Sequence, residues 1–128
     1  MRRLLLDTHV LLWWLADDRQ LGPKARSLIA NAEHQIYVSA ATAWEISIMK
    51  ALGKLDAPDD LDSIVEEEGF EKLPISIFHG ERAGELPQHR RDPFDRMLVA
   101  QSQAEGLEIL TADDTIRQYA VKSMSALQ

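Results

Sequence analysis

The sequence Arg3-Leu4-Leu5-Leu6-Asp7-Thr8 places three consecutive leucines directly before a carboxylate. A short, continuous apolar run with polar residues on both sides is typical of a strand that is buried on both faces, as in a parallel sheet covered by helices. We therefore predict a first, central strand at residues 3–6. Asp7 then lies at the carboxyl end of that strand, the edge of a parallel sheet at which ligands bind.

Helical and strand-like segments alternate along the rest of the chain. Further strands are predicted at residues 36–38, 70–75, 108–110 and 121–124, and the second of these has the character of an edge strand because it contains Pro74. Helices are predicted at residues 10–15, 23–32, 39–52, 60–68, 77–86, 93–105 and 114–119, and Asp59-Asp60 is expected to cap the helix at 60–68. This alternation predicts an α/β fold: a three-layer α/β/α sandwich with a mostly parallel sheet of four to five strands, in which residues 1–128 form a single domain.

The composition restricts the classes of function. The chain has 128 residues, enough for one domain with a real core. It contains no cysteine, which excludes disulfides, thiolate zinc sites and a cysteine nucleophile, and the cytoplasm is the expected location. No apolar run approaches the ~20 residues of a membrane span. The net charge of −7 argues against extensive binding of a nucleic-acid duplex, which requires clustered Lys and Arg.

Basic side chains nevertheless cluster in one short segment that also contains two acids. The basic residues are His89, Arg90, Arg91 and Arg96. An acidic protein with such a cluster beside its site is compatible with binding a short stretch of RNA. Arg90, Arg91 and Arg96 are therefore candidate contacts to phosphate, although an arginine in the position of Arg96 is more often a solvated surface charge.

Two candidate site carboxylates follow apolar, strand-like runs. Asp7 is a metal ligand, the N-cap of the following helix, or both. Asp113 and Asp114 follow the strand that ends near Thr111. We expect Asp113, which is closer to the strand end, to face the site, and Asp114 to cap the short helix. Thr111 is positioned to bond to a carboxylate or a phosphate.

The third candidate, Glu45, lies inside a predicted helix and has a structural alternative. The residues from Thr42 to Glu45 match a capping box, in which the glutamate bonds back to the amide of the cap residue. If Ser39 caps the helix instead, Glu45 lies almost two turns inside it and can point towards the site. The sequence pattern alone leaves this choice open.

The fourth candidate belongs to a pair of acids at the start of another predicted helix. Asp92-Pro93 has the form of an aspartate cap followed by proline at the first helical position, so a structural role is favoured for Asp92. Asp95 then lies at the third helical position, where the helix dipole favours a carboxylate. The same position allows it to hold a metal, so Asp95 is the predicted site residue.

Carboxylates that meet at one edge of a sheet repel one another and raise each other's pKa. A hard divalent cation removes that repulsion, because Mg²⁺ and Mn²⁺ prefer oxygen ligands. Such a cation polarises phosphoryl oxygens and lowers the pKa of a bound water. The residues therefore predict a metal-dependent enzyme that hydrolyses a phosphate ester.

The chain resembles PIN-domain proteins, and more narrowly the VapC-type toxins of bacterial type II toxin–antitoxin pairs. Four motifs in the family's order carry the resemblance: Leu5-Leu6-Asp7-Thr8-His9, residues 39–46 (SAATAWEI), residues 89–101 (HRRDPFDRMLVAQ) and Leu110-Thr111-Ala112-Asp113. It implies a Mg²⁺ or Mn²⁺ site formed by Asp7, Glu45, Asp95 and Asp113. It also implies endoribonuclease activity on single-stranded regions of tRNA or rRNA, a homodimer, and a cognate antitoxin that contacts the active site.

Two other classes of function compete with this interpretation. A receiver-like signalling domain would need two neighbouring acids early in the chain and a late lysine after a strand, and Asp7 stands alone without such a lysine. A PIN-like binding module, whose carboxylates only stabilise the fold, fits the same residues. Trp13, Trp14 and Trp44 are able to stack on bases, but their apolar neighbours at helical spacing favour packing in the core or at an interface. The apolar first helix is the physical hint of a dimer.

Overall fold

The protein is described from a computed structural model that covers residues 1–89 and 91–128. The described residues form five strands: β1 (Arg3–Leu6), β2 (Gln35–Ser39), β3 (Glu71–Leu73), β4 (Glu108–Thr111) and β5 (Ser123–Ser125). The α-helices among them are α1 (Thr8–Leu15), α2 (Pro23–Ala30), α3 (Ala40–Ala51), α4 (Leu61–Glu67), α5 (Ile77–Glu85) and α6 (Pro93–Glu105). None of these helices is long and apolar enough to cross a membrane.

The five strands form one sheet in the order β3-β2-β1-β4-β5, and every neighbouring pair is parallel. The prediction of a central first strand and of an edge strand near Pro74 is confirmed. From β1 the chain proceeds to β2 and β3 on one side, and β4 and β5 then lie on the other side. The order therefore reverses between β1 and β4, which opens a crevice at the carboxyl ends of these two strands.

The leucines of β1 connect two cores, one on each face of the sheet. Leu4 and Leu6 belong to the core that α1, α2 and α4 cover, while Leu5 belongs to the core that α6 covers. All three side chains are fully buried, and each burial stabilises the fold by roughly 1.5–3 kcal/mol. The three-layer α/β/α sandwich is confirmed.

Two local predictions are wrong. Asp60 precedes α4 with a φ of 56°, in the left-handed region that aspartate tolerates better than most residues, and its side chain makes no capping hydrogen bond. Asp59 does not replace it, because its carboxylate pairs with Nζ of Lys50 at 2.7 Å. The helix predicted at residues 114–119 is only a turn of 3₁₀ helix at Ile116–Gln118.

Candidate active site

A cavity of about 430 Å³ lies at the carboxyl ends of β1 and β4. Six of its lining residues carry carboxylates: Asp7, Glu45, Asp92, Asp95, Asp113 and Asp114. The remaining lining residues are Thr8, His9, Trp13 and Ala112. All four predicted site acids therefore line the same cavity, called here the acidic cavity, although they come from four separate segments of the chain. Their catalytic role stays a prediction.

Asp7 is buried at the floor of the acidic cavity, with 6% of its surface exposed. Its Oδ1 accepts a hydrogen bond from the amide of Val10 at 2.9 Å, so Asp7 is the N-cap of α1 as predicted. Its Oδ2 accepts a hydrogen bond from the hydroxyl of Thr111. Burial raises the pKa of Asp7 above its ordinary value, and the negative charge of Asp113 adds to this increase, while both hydrogen bonds oppose it. The charged form of Asp7 is thus costly in the folded chain.

Asp113 is held by two hydrogen bonds, one from its backbone amide and one to its side chain. Its amide donates a hydrogen bond to Oγ1 of Thr111 at 3.0 Å, and its Oδ1 accepts one from the amide of Thr115 at 2.8 Å. The prediction that Asp114 caps the short helix is wrong: Asp114 is exposed and pairs with Arg117 at 3.5 Å, and Asp113 is the residue that bonds to the amide of Thr115. The physical reason is that the connection after β4 is short, so the carboxylate of the first aspartate reaches the amide two residues ahead.

The position of Glu45 resolves the choice between a capping box and the site. Ser39 caps α3, because its Oγ accepts a hydrogen bond from the amide of Ala41 at 3.0 Å. Glu45 lies more than one turn inside the helix, and its Oε1 accepts a hydrogen bond of 2.6 Å from the hydroxyl of Thr8. This contact with α1 holds Glu45 where it lines the acidic cavity. The capping box is absent because Thr42, its required cap residue, lies inside the helix.

Asp92 and Asp95 both line the acidic cavity, but they differ in their contacts with α6. Oδ1 of Asp92 accepts hydrogen bonds from the amides of Phe94 at 2.8 Å and of Asp95 at 3.3 Å, so Asp92 is the predicted N-cap. Asp95 lies in the first turn of α6, where the helix dipole favours a negative charge. The structure therefore agrees with a capping role for Asp92 and leaves the site role of Asp95 as a prediction.

The expectation that Arg96 is a solvated surface charge is wrong. Arg96 is only 9% exposed, and its guanidinium donates hydrogen bonds to three carbonyls, one in the last turn of α5 and two directly after that helix. The acceptors are the oxygens of Ala83 at 2.8 Å, Leu86 at 3.1 Å and Pro87 at 3.1 Å. The physical reason is that Arg96 shares one helix face with the buried Val99 and Ala100.

The other two arginines predicted to contact phosphate are less constrained by the structure. Arg91 is exposed and precedes the Asp92 cap, so its role as a phosphate contact stays a prediction. Arg90 lies outside the described residues. Neither Arg91 nor Arg96 lines the acidic cavity.

Two polar contacts near the site were not predicted from the sequence. The first is the hydrogen bond from Thr8 to Glu45. The second involves the fully buried Gln101, which accepts a hydrogen bond from the hydroxyl of Ser39 at 2.5 Å and donates one to the carbonyl of Pro74. Gln101 joins α6 to the start of α3, the two helices that carry Asp95 and Glu45. A signal was present in the sequence, because Gln101 lies three residues after Leu98 on the buried face of α6.

The chemistry of the lining residues fits a hard divalent cation. Carboxylate oxygens are the ligands that Mg²⁺ and Mn²⁺ prefer, and a cation would relieve the raised pKa of Asp7. Among residues 1–89 and 91–128, no three or more acidic or histidine side chains already stand in an arrangement that could hold an ion.

The class of protein to which this sandwich and its acidic cavity belong is identified by the sequence. The sequence model of the PIN domain matches residues 4–122, and the chain belongs to this family. The chain is 25% identical to ribonuclease VapC22 of Mycobacterium tuberculosis over 122 residues, and this alignment covers 93% of each protein. The resemblance to VapC-type proteins is thereby confirmed.

Solved structures show the same fold. VapBC2 from Rickettsia felis, bound to a DNA fragment from its promoter, matches with a TM-score of 0.69 and 14% identity over 96% of this chain and 98% of that chain. A toxin–antitoxin complex from Klebsiella pneumoniae matches with a TM-score of 0.68 and 20% identity over 95% and 96%. At these identities the matches support the architecture, not the activity.

Proposed function

We propose that this protein is a Mg²⁺- or Mn²⁺-dependent endoribonuclease that cleaves single-stranded regions of tRNA or rRNA and acts as the toxin of a toxin–antitoxin pair. The observation that carries the proposal is the acidic cavity, into which the fold brings Asp7, Glu45, Asp95 and Asp113 at the strand-order reversal. The similarity to a protein named as a ribonuclease supports it. No comparison favours the alternative of a non-catalytic PIN-like binding or signalling domain.

In the proposed reaction, Asp7, Asp95 and Asp113 hold the cation. When bound, Mg²⁺ or Mn²⁺ supplies polarisation of the phosphoryl oxygens and lowers the pKa of a water molecule. Glu45, held through Oε1 by Thr8, orients the attacking water and accepts its proton. Attack of water on phosphorus with departure of the 3′ oxygen leaves 5′-phosphate and 3′-hydroxyl ends.

The test is digestion of a structured RNA by the purified protein in Mn²⁺, in Mg²⁺ and in EDTA, with Asp95→Asn as the matched variant. We expect strand cleavage with either metal, none in EDTA and none with the variant. Calorimetry should show Mn²⁺ binding that is weakened in the variant. Cleavage that persists in EDTA, or that the variant retains, would contradict the proposal.

An antitoxin partner is proposed from the similarity to proteins solved as toxin–antitoxin complexes. The cavity supports this, because an anionic site suits a partner that inserts Arg or Lys in competition with a metal. Expression without the antitoxin is expected to stop growth, and co-expression to restore it. Growth that is unaffected by the active protein would contradict the toxin assignment. The cytoplasmic location and the single-domain organisation stay predictions.

The proposed homodimer would use α3, and not the first helix. Trp13 and Trp14 are partly buried against the core, whereas Trp44 is 62% exposed. Ile48 and Leu52 follow at four-residue spacing and are exposed on the same face of α3. Sedimentation should give the mass of two chains for the wild type and of one chain for Ile48→Glu. A wild-type protein that stays monomeric would contradict the dimer.

A further inference from the structure

A second groove of about 320 Å³ adjoins the acidic cavity and shares two lining residues with it, His9 and Trp13. We propose that this side groove binds the nucleobase next to the scissile phosphate, with Trp13 as the surface on which that base stacks. The inference rests on the proposed ribonuclease function and adds to it a residue that determines base preference. It is argued from the position of Trp13, from the polarity of the groove and from the contrast with the other tryptophans.

Trp13 separates the two cavities and is held firmly. Its side chain is partly buried and packs against the core beneath α1, while it also lines both the acidic cavity and the side groove. The centroid of the His9 ring lies 6.3 Å from that of the indole and the two rings are tilted by 59°, so His9 is not stacked in parallel on Trp13. An aromatic ring fixed beside the reacting phosphate is the feature that single-stranded nucleic acids use for stacking.

The polarity of the side groove favours a base over a phosphate. Its apolar lining includes Leu12, Leu15, Leu55 and Pro58, and its polar lining residues are His9, Asp18 and Asp56. Of the residues that the structure describes, no lysine or arginine lines it. Carboxylates repel phosphate and only accept hydrogen bonds, so a nucleobase that stacks on Trp13 here would be one whose N–H donors face them. Guanine fits best, because its N1–H and N2–H₂ groups are adjacent and can both donate to one carboxylate.

The neighbouring Trp14 provides a matched control. Its Nε1 donates a hydrogen bond to Oε2 of Glu68 at 3.3 Å, and its ring packs against Phe70 with centroids 6.3 Å apart. Trp14 lines neither the acidic cavity nor the side groove. A substitution of Trp14 therefore removes an indole from the same helix without changing the proposed base site.

The test measures base preference, which a purely structural role of Trp13 would not change. Short single-stranded RNAs that carry guanine, inosine or an abasic site at each position flanking the cut are cleaved in Mn²⁺. We expect kcat/KM of the wild type and of Trp14→Leu to be about tenfold higher for guanine than for the abasic RNA, with inosine between them. Trp13→Phe should keep most of this ratio, and Trp13→Leu should bring it close to one. A ratio that is unchanged in Trp13→Leu would overturn the proposal.

A binding measurement in EDTA separates this proposal from the proposed function. Guanosine, which carries no phosphate, should quench the tryptophan fluorescence of the wild type and of Trp14→Leu, but not of Trp13→Leu, whereas ribose should quench none of them. Quenching without any RNA cleavage would refute the proposed function and support the side groove. Quenching by argininamide and not by guanosine would show that the groove receives a cationic side chain of a protein, and would overturn the proposal.

Discussion

The hydroxyl of Thr111, the last residue of β4, donates a hydrogen bond to Oδ2 of Asp7, the first residue after β1. The same hydroxyl accepts a hydrogen bond from the amide of Asp113. One side chain thus fixes two carboxylate-bearing segments on either side of the strand-order reversal. The acidic cavity is organised by this contact as much as by the carboxylates themselves.

The first prediction concerns this hydroxyl. Thr111→Val keeps the shape of the side chain but removes the hydrogen bond that orients the carboxylate of Asp7. Because this hydrogen bond lowers the pKa of Asp7, its loss should raise that pKa further. We expect kcat/KM or Mn²⁺ affinity to fall about 10–100-fold, as is typical when a partner of a metal ligand is lost. Thr111→Ser should retain most of both. Equal activity of the two variants would show that the hydroxyl has no positioning role.

The second prediction concerns the stability of the metal-free protein. Burial raises the pKa of Asp7, so ionising this group costs more in the folded than in the unfolded chain. The resulting loss of stability is absent below the unfolded pKa of ~3.9 and grows as the pH rises from there through the raised folded value. Asp7→Asn keeps a residue that can cap α1 and removes this cost. In EDTA at pH 7, Asp7→Asn should therefore melt at a higher temperature than the wild type.

The pH dependence of that difference is the control. The gap in melting temperature between Asp7→Asn and the wild type should shrink as the pH falls towards the unfolded pKa. Mn²⁺ should stabilise the wild type and have much less effect on the variant. A variant that is less stable than the wild type in EDTA at pH 7 would show that the charged form of Asp7 is favourable in the fold.

The third prediction separates Asp92 from Asp95. Asp92→Ala removes the N-cap of α6 and should reduce the free energy of unfolding by about 1 kcal/mol, whereas Asp92→Asn should be nearly neutral, because asparagine also caps helices. Asp95→Asn should leave stability almost unchanged and abolish cleavage. Kinetics and denaturant unfolding on the three variants measure both effects. Loss of cleavage in Asp92→Asn with retention in Asp95→Asn would reverse the assignment.

The fourth prediction tests the buried role of Arg96. Arg96→Met leaves the carbonyl oxygens at the end of α5 and directly after it without their hydrogen-bond donor. The free energy of unfolding should therefore fall by at least about 2 kcal/mol. The exposed Arg91 is the matched control, and Arg91→Met should change stability by less than about 0.5 kcal/mol. Urea unfolding of both variants decides the question. Equal stability of the two would contradict a structural role for Arg96.

The sequence predicts those features that depend on local patterns. The run of leucines before Asp7 identifies the central strand, and Asp92-Pro93 identifies the start of α6, because burial and capping follow from neighbouring residues. Asp7, Asp95 and Asp113 could be named for the same reason, since they follow strands or lie in the first turn of a helix. The PIN-type order of motifs then supplied the choice of Glu45.

Features that depend on long-range contacts were not predictable in this way. Glu45 is oriented by Thr8, which is 37 residues away in the chain. The buried state of Arg96 depends on the path of the segment that joins α5 to α6. The absence of a cap at Asp60 reflects a left-handed backbone that the residue type permits but does not require. In each case the local sequence is compatible with more than one conformation, and tertiary packing determines which one is adopted.

The most direct test of the account is the chemistry of the RNA ends produced by the purified protein. If water attacks phosphorus at a metal site formed by Asp7, Asp95 and Asp113, every new fragment should begin with a 5′-phosphate and end with a 3′-hydroxyl. These fragments should be absent in EDTA and with Asp95→Asn. Fragments that end in a 2′,3′-cyclic phosphate would show that the ribose hydroxyl attacks, and would contradict the metal-assisted hydrolysis proposed for this cavity.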